Sequence, residues 1–141
     1  MSLKKVFKAD PIKEKAGVWI SVSQGEGSPD CEFLVAPTGP SNKKYTAALQ
    51  ASQKKYKHTF KTMSSQRLNE IFVEVFVDTV LLDWKNVEEY RDDHPKGIMP
   101  FNKENAKFLL TDLPEVLELL SREAGDFSNF VAVQTEADAK N

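Results

Sequence analysis

The chain has 141 residues, of which 28% are charged and 40% hydrophobic, with a formal net charge of −2. That length suits one domain, burying on the order of 70% of the surface its unfolded chain exposes. It argues against a membrane-spanning helix, which needs roughly 20 apolar residues: the greasiest run, 71–84, is interrupted by Glu74, Asp78 and Asp83.

The start, MSLKKVFKADP, carries charges but no apolar core, so no secretory signal is expected. Cys31 is the single cysteine, which leaves no intrachain disulfide and no cysteine-rich zinc site. Both observations fit a reducing cytoplasm. The small net charge conceals segregation. Residues 42–69 hold seven basic side chains and no acidic one, whereas residues 70–141 hold seven basic and sixteen acidic, a net of −9. Such segments can pair within one fold or between copies.

In chain order, residues 3–9 are a candidate strand. GVWISVS alternates Val18, Ile20 and Val22 against Trp19, Ser21 and Ser23, the pattern of a half-buried strand. QGEGSPD is turn chemistry and CEFLVAP a second apolar run, so an antiparallel hairpin is predicted. Pro37, Gly39 and Pro40 close the strand region.

From Ser41 the period changes. Ser41 or Asn42 can cap a helix whose inner face is Tyr45, Ala48, Leu49, Ser52 and Tyr56. Its outer face carries Lys43, Lys44, Lys54, Lys55 and Lys57. A second helix is predicted over 64–84, capped by Ser64 or Ser65. Leu68, Ile71, Phe72, Val75, Phe76, Thr79 and Val80 follow helical spacing, with Glu70, Glu74 and Asp78 opposite. Asn102 caps a third helix behind Phe101, which sits where a hydrophobic staple would act on Ala106. Asp112, Pro114 and Glu115 open a fourth in capping-box register, and Gly125 stops it. The fold class is therefore α+β, an N-terminal antiparallel β-hairpin or small sheet followed by a bundle of about four helices. Residues 1–130 form the domain, with strands over about 3–37 and helices over about 42–124; 131–141 is a polar tail expected to be disordered.

The stretch 81–102, LLDWKNVEEYRDDHPKGIMPFN, crowds Asp83, Glu88, Glu89, Asp92, Asp93 and His94 together. It lacks the D-x-[DN]-x-[DN]-G spacing of a calcium loop and the H-E-x-x-H of a zinc enzyme. No G-x-S-x-G, P-loop or dinucleotide fingerprint is present. The expectation is a solvated connector, no metal, no cofactor and no catalytic residue. The basic segment 43–67, with Tyr45 and Tyr56, can follow a phosphate backbone. Lysine in place of arginine and the negative net charge weigh against specific readout, so a small nucleic-acid-associated accessory role stays the alternative.

The order of residues from LLDW through PFNKENAKFLLTDLPEVLELL to DFSNF resembles the phage tail assembly chaperones, over roughly 64–130. These are packing and capping motifs, and residues 1–63 match in layout alone. The resemblance makes LLDW the end of a core helix, EEYRDDHPKG a variable loop and IMPFN the entry to the next helix. It implies non-enzymatic work in the host cytoplasm. Such chaperones coat the long helical tape measure protein, yield it to tail tube subunits, and are absent from the mature virion. Many also exist in a frameshifted form with a C-terminal extension. Self-association through the oppositely charged segments would suit that task. Phe72, Phe76, Phe127 and Phe130 are candidate contacts for client helices, and Lys43, Lys44, Lys54 and Lys55 candidate charged contacts, with ordinary core packing the competing reading for the aromatics.

Overall fold

The structure, a computed structural model, describes Leu3 and residues 8–131. It is α+β: a three-stranded antiparallel sheet and five α-helices among the described residues. Most of the candidate strand 3–9, and the tail beyond Val131, lie outside them.

Helix α1, Pro11–Ala16, is the first element. Asp10 caps it by accepting from the Ile12 N–H at 2.9 Å, and Pro11 fills the first turn, where no N–H is needed. Gly17 ends it at φ 83°, and the chain passes into strand β1, Val18–Val22. Strand β2, Cys31–Val35, returns antiparallel, with Val18 opposite Val35, Ile20 opposite Phe33 and Val22 opposite Cys31. The predicted hairpin and its inward face are therefore present. Cys31, Phe33 and Val35 are buried, and Val18, Ile20 and Val22 pack half-buried beside them.

Helix α2, Lys43–Lys55, is capped by Asn42, whose side chain accepts from the Tyr45 N–H. The inner face is the predicted one, but it is shallow: no residue of α2 is buried. After a 3-10 turn over Phe60–Thr62, Ser64 caps α3, Ser65–Thr79. Val73, Val75, Phe76 and Val77 of α3 enter the core, and Glu70, Glu74 and Asp78 face water as predicted.

The helix expected to run through residue 84 ends at Thr79. LLDW is not a helix end: Leu81–Lys85 is strand β3, the third strand of the sheet, pairing antiparallel with β2. The register shifts between Leu34 and Val35, so one residue of β3, Leu82, is extra. That bulge puts the buried residues Leu81 and Trp84 three apart instead of two or four, the spacing of a helix face.

Helix α4, Lys103–Asp112, starts at Asn102, which accepts from the Asn105 N–H at 2.7 Å. Phe101 packs edge-on to Trp84 at 5.1 Å, against the core cluster that includes Ala106. Helix α5, Pro114–Ala124, follows after Leu113 alone. The expected capping box at Asp112 does not form: Asp112 closes α4, Leu113 holds the cap position of α5 without a side-chain bond, and Pro114 supplies the start. A final 3-10 turn, Phe127–Phe130, brings the chain back to α1, where the Asp10 N–H donates to the Phe130 carbonyl at 2.8 Å.

The core lies between the inner face of the sheet and α3, α4 and α5. Phe33, Phe76, Met99, Leu110, Leu120 and Phe130 are its largest fully buried members, each worth about 1.5–3 kcal/mol over an exposed side chain.

Candidate functional site

The acidic stretch after β3 is built, not merely solvated. The Met99 N–H donates to the Val87 carbonyl at 2.7 Å and the Glu89 N–H to the Gly97 carbonyl at 2.8 Å, so the loop folds back as a short arm. Trp84 closes its base, donating from the indole N–H to the Met99 carbonyl at 2.8 Å. Val87 and Met99 are buried.

Glu89, which composition marks as a solvated loop acid, is 9% exposed. Arg91 clamps it with a bidentate pair of bonds, the shortest 2.6 Å, and these hold the carboxyl down at about 2. The Arg91 guanidinium also lies 4.9 Å from the centre of the Phe108 ring. Tyr90 donates its hydroxyl to Asp112 at 2.8 Å; burial and that bond push the phenol up. Asp93 contacts His94 at 2.8 Å, which lowers its carboxyl. Glu89, Asp93 and Asp112 thus each have a different partner. Among the described residues no group of three or more His, Cys, Asp or Glu could hold a metal ion. No helix among them is long and apolar enough to cross a membrane.

The four candidate phenylalanines fall into two places. Phe72 and Phe76 lie 6.0 Å apart on α3. Phe76 is wholly buried and Phe130 is 1% exposed, so neither can meet a partner. Both are core residues, because α3 turns Phe76 toward the sheet and the last 3-10 turn tucks Phe130 under α1. Phe72 is half-buried. It forms the floor of an open groove of about 460 Å³ between α3 and α5, with Pro114 and Leu117 beside it and Asn69, Glu118 and Arg122 on the rims. Phe127, 41% exposed, lies at a separate cleft of about 180 Å³ with Pro37, Pro40 and Ala124.

Lys43, Lys44, Lys54 and Lys55 are exposed, as their helical positions predict. Lys55 lies 5.3 Å from the Tyr56 ring centre. Arg67 also reaches that ring at 5.7 Å and pairs with Glu70 at 3.2 Å. Among the described residues none of Lys43, Lys44, Lys54, Lys55, Lys57 and Lys61 is in an ion pair. The basic ridge and the Phe72 groove are therefore separate surfaces, and α3 carries Glu70, Glu74 and Asp78 along its exposed face.

Sequence reasoning missed the groove wall on α5, although Pro114 was placed at the start of a helix. It also missed Phe60, which is 55% exposed; an aromatic between two lysines in KHTFK was the available signal.

No curated protein and no solved structure matches the chain. A family model described as YdaY prophage protein does, over residues 40–141. The match starts just ahead of α2 and takes in α3, β3, α4 and α5 but not the β1–β2 hairpin. Covering well over half of the sequence, it shows that the chain belongs to the YdaY prophage protein family.

Proposed function

We propose that this prophage protein is a non-enzymatic tail assembly chaperone that binds the tape measure protein through the groove between α3 and α5. The observation that carries this reading is the groove itself. It has an apolar lining of Phe72, Leu117 and Pro114, with Glu118 and Arg122 both on its α5 rim and Asn69 on its α3 rim. That arrangement suits an amphipathic client helix, with apolar anchors below and charges along one side. The resemblance over 64–130 and membership of a prophage family support it. In this reading the protein works in the host cytoplasm, associates with further copies of itself along the client, gives way to tail tube subunits and leaves before the virion is complete.

The test is co-expression with the tape measure protein of the same prophage, pulling on a tag on this chain. The client is expected to become soluble and to co-purify in many-to-one ratio. Phe72→Asp, at a half-buried position, should abolish capture while circular dichroism stays unchanged. A client that stays insoluble beside the wild-type chain overturns the proposal.

The unpaired lysines of α2 favour one second reading, an accessory protein that binds nucleic acid through 43–67. A gel shift at low salt with a steep salt dependence would support it; no shift at low salt removes it.

A further inference from the structure

Two surface features that the client groove does not use fit each other. The first is a knob. Phe60 is 55% exposed on the 3-10 turn after α2. The turn is firm: the Phe60 N–H donates to the Tyr56 carbonyl at 2.9 Å, and Thr62 returns two bonds to the Thr59 carbonyl, at 3.1 Å and 3.0 Å. Lys57 and Lys61 flank Phe60 in sequence and are exposed, and neither is in an ion pair among the described residues. An aromatic ring exposed on an ordered turn, with lysines on either side of it in the chain, is the profile of an interface anchor.

The second is a socket. A cleft of about 210 Å³ opens between the hairpin and α4–α5, walled by Val22, Phe33, Val87, Leu109, Leu113 and Val116. A cavity of about 150 Å³ already holds a benzene ring, so one phenylalanine side chain suits this one. Its lip is acidic. Glu88 is the charged residue among its described lining, and Tyr90 beside it is bonded to Asp112. Asp30 and Glu88 both act on Cys31 in the wall, whose thiol burial and these carboxylates push up. The socket is also preformed. Gln24 accepts from the Glu88 N–H at 3.0 Å and donates to the Asn86 carbonyl at 2.7 Å, which pins the lip to the hairpin turn.

We propose that Phe60 of one copy seats in this cleft on a second copy, with Lys57 and Lys61 facing Glu88 and Asp112 across the lip. Knob and socket share no residue, and a pair joined by one knob in one socket is heterologous. Each copy in such a pair keeps one free knob or one free socket, and association continues into a ring or an open chain. Apolar insertion supplies the hold, and the opposed charges set orientation and make it sensitive to salt. This names the contact for the self-association in the chaperone reading. It is tested on the purified chain alone, without client, so its failure and the failure of the Phe72 groove are separate results.

The experiment is sedimentation velocity over a concentration series at low and high salt. The wild-type chain should form a ladder of growing species that shortens at high salt. Phe60→Ser removes the knob at an exposed position, and Leu113→Arg blocks the socket from its half-exposed wall. Each alone should remain monomeric. Mixed in equal amounts, they should give a heterodimer that grows no further, because the surviving knob of one meets the surviving socket of the other. Glu88→Lys, a surface change, replaces Leu113→Arg if the latter lowers the melting temperature. A monomeric wild-type chain at the highest concentration and low salt overturns the proposal. So does a ladder unchanged by Phe60→Ser, or a mixture of two folded variants that stays monomeric.

Discussion

The indole N–H of Trp84 in β3 and the carbonyl of Met99 before α4 meet at 2.8 Å across fifteen residues. Both residues are buried, Met99 fully. The bond ties the return of the acidic arm to the edge strand that carries Trp84. Phe33 and Phe101 hold the indole edge-on at 6.0 Å and 5.1 Å. Trp84→Phe keeps most of the packing but orphans the Met99 carbonyl, and should cost about 1–3 kcal/mol. Trp84→Ala should cost about 3–5 kcal/mol. Urea unfolding gives both values, and a Trp84→Phe variant as stable as the wild type would show that the bond itself adds nothing.

Glu89 gives the arm a pH dependence of known sign. Its carboxyl is held at about 2 against an ordinary value of 4.5, chiefly by the bonds from Arg91. The folded state therefore favours the ionised form. Its contribution is complete above pH 4.5 and is lost as pH falls from there through about 2. Thermal melts of the wild-type chain should fall over that window, and Glu89→Gln should lower the melting temperature at neutral pH while flattening the acid limb. An acid limb as steep in Glu89→Gln as in the wild type would assign the loss to other carboxylates.

Asn42 joins three elements. Its Oδ1 accepts from the Tyr45 N–H at 3.1 Å, and its amide donates to the carbonyls of Pro37 at 2.9 Å and Thr79 at 3.0 Å. Asn42→Ser keeps a cap and loses the two donated bonds; Asn42→Ala loses all three. A cap contributes about 1 kcal/mol and each ordinary bond about 0.5–1.5 kcal/mol. Asn42→Ala should therefore cost about 2–4 kcal/mol and Asn42→Ser about 1–3 kcal/mol. Chemical denaturation checks the order, and a silent Asn42→Ser would show that the cap alone matters.

Gly17 cannot be replaced. It has φ 83°, and a Cβ built there would lie 2.8 Å from the Val35 carbonyl oxygen and 3.0 Å from Leu82 Cδ1. Gly17→Ala should cost more than about 1 kcal/mol. Gly25, at φ 104° with open space around it, isolates the conformational part. Gly25→Ala should be the milder of the two, and a reversed order would contradict the close approach.

What could be read from the sequence was whatever is encoded locally. The hairpin face of Val18, Ile20 and Val22, the inner face of α2, and the caps Asn42, Ser64 and Asn102 all sit where spacing and side-chain chemistry put them. The α3–β3 junction could not be read, for a physical reason. No glycine or proline marks the turn at Val80, and the extra residue at Leu82 gives β3 the three-residue spacing of a helix. The pairing of Glu89 with Arg91 was likewise hidden, because a charge run does not say which of its members folds inward. Of the candidate contacts, the lysines were placed by helical position. The phenylalanines could not be sorted, since spacing separates faces but not the depth at which each face is covered.

Cys31 lines the same cleft that receives Glu88 and Tyr90 at its lip, and it is the one thiol in the sequence. Its buried sulfur donates to the Val22 carbonyl at 3.4 Å, so a thiol reagent must reach it through that opening. The chain thus carries an intrinsic reporter of access. The rate at which a disulfide reagent titrates the native protein measures access through the cleft, and an occupant of the cleft should slow it, with no label introduced and no second thiol to confuse the signal.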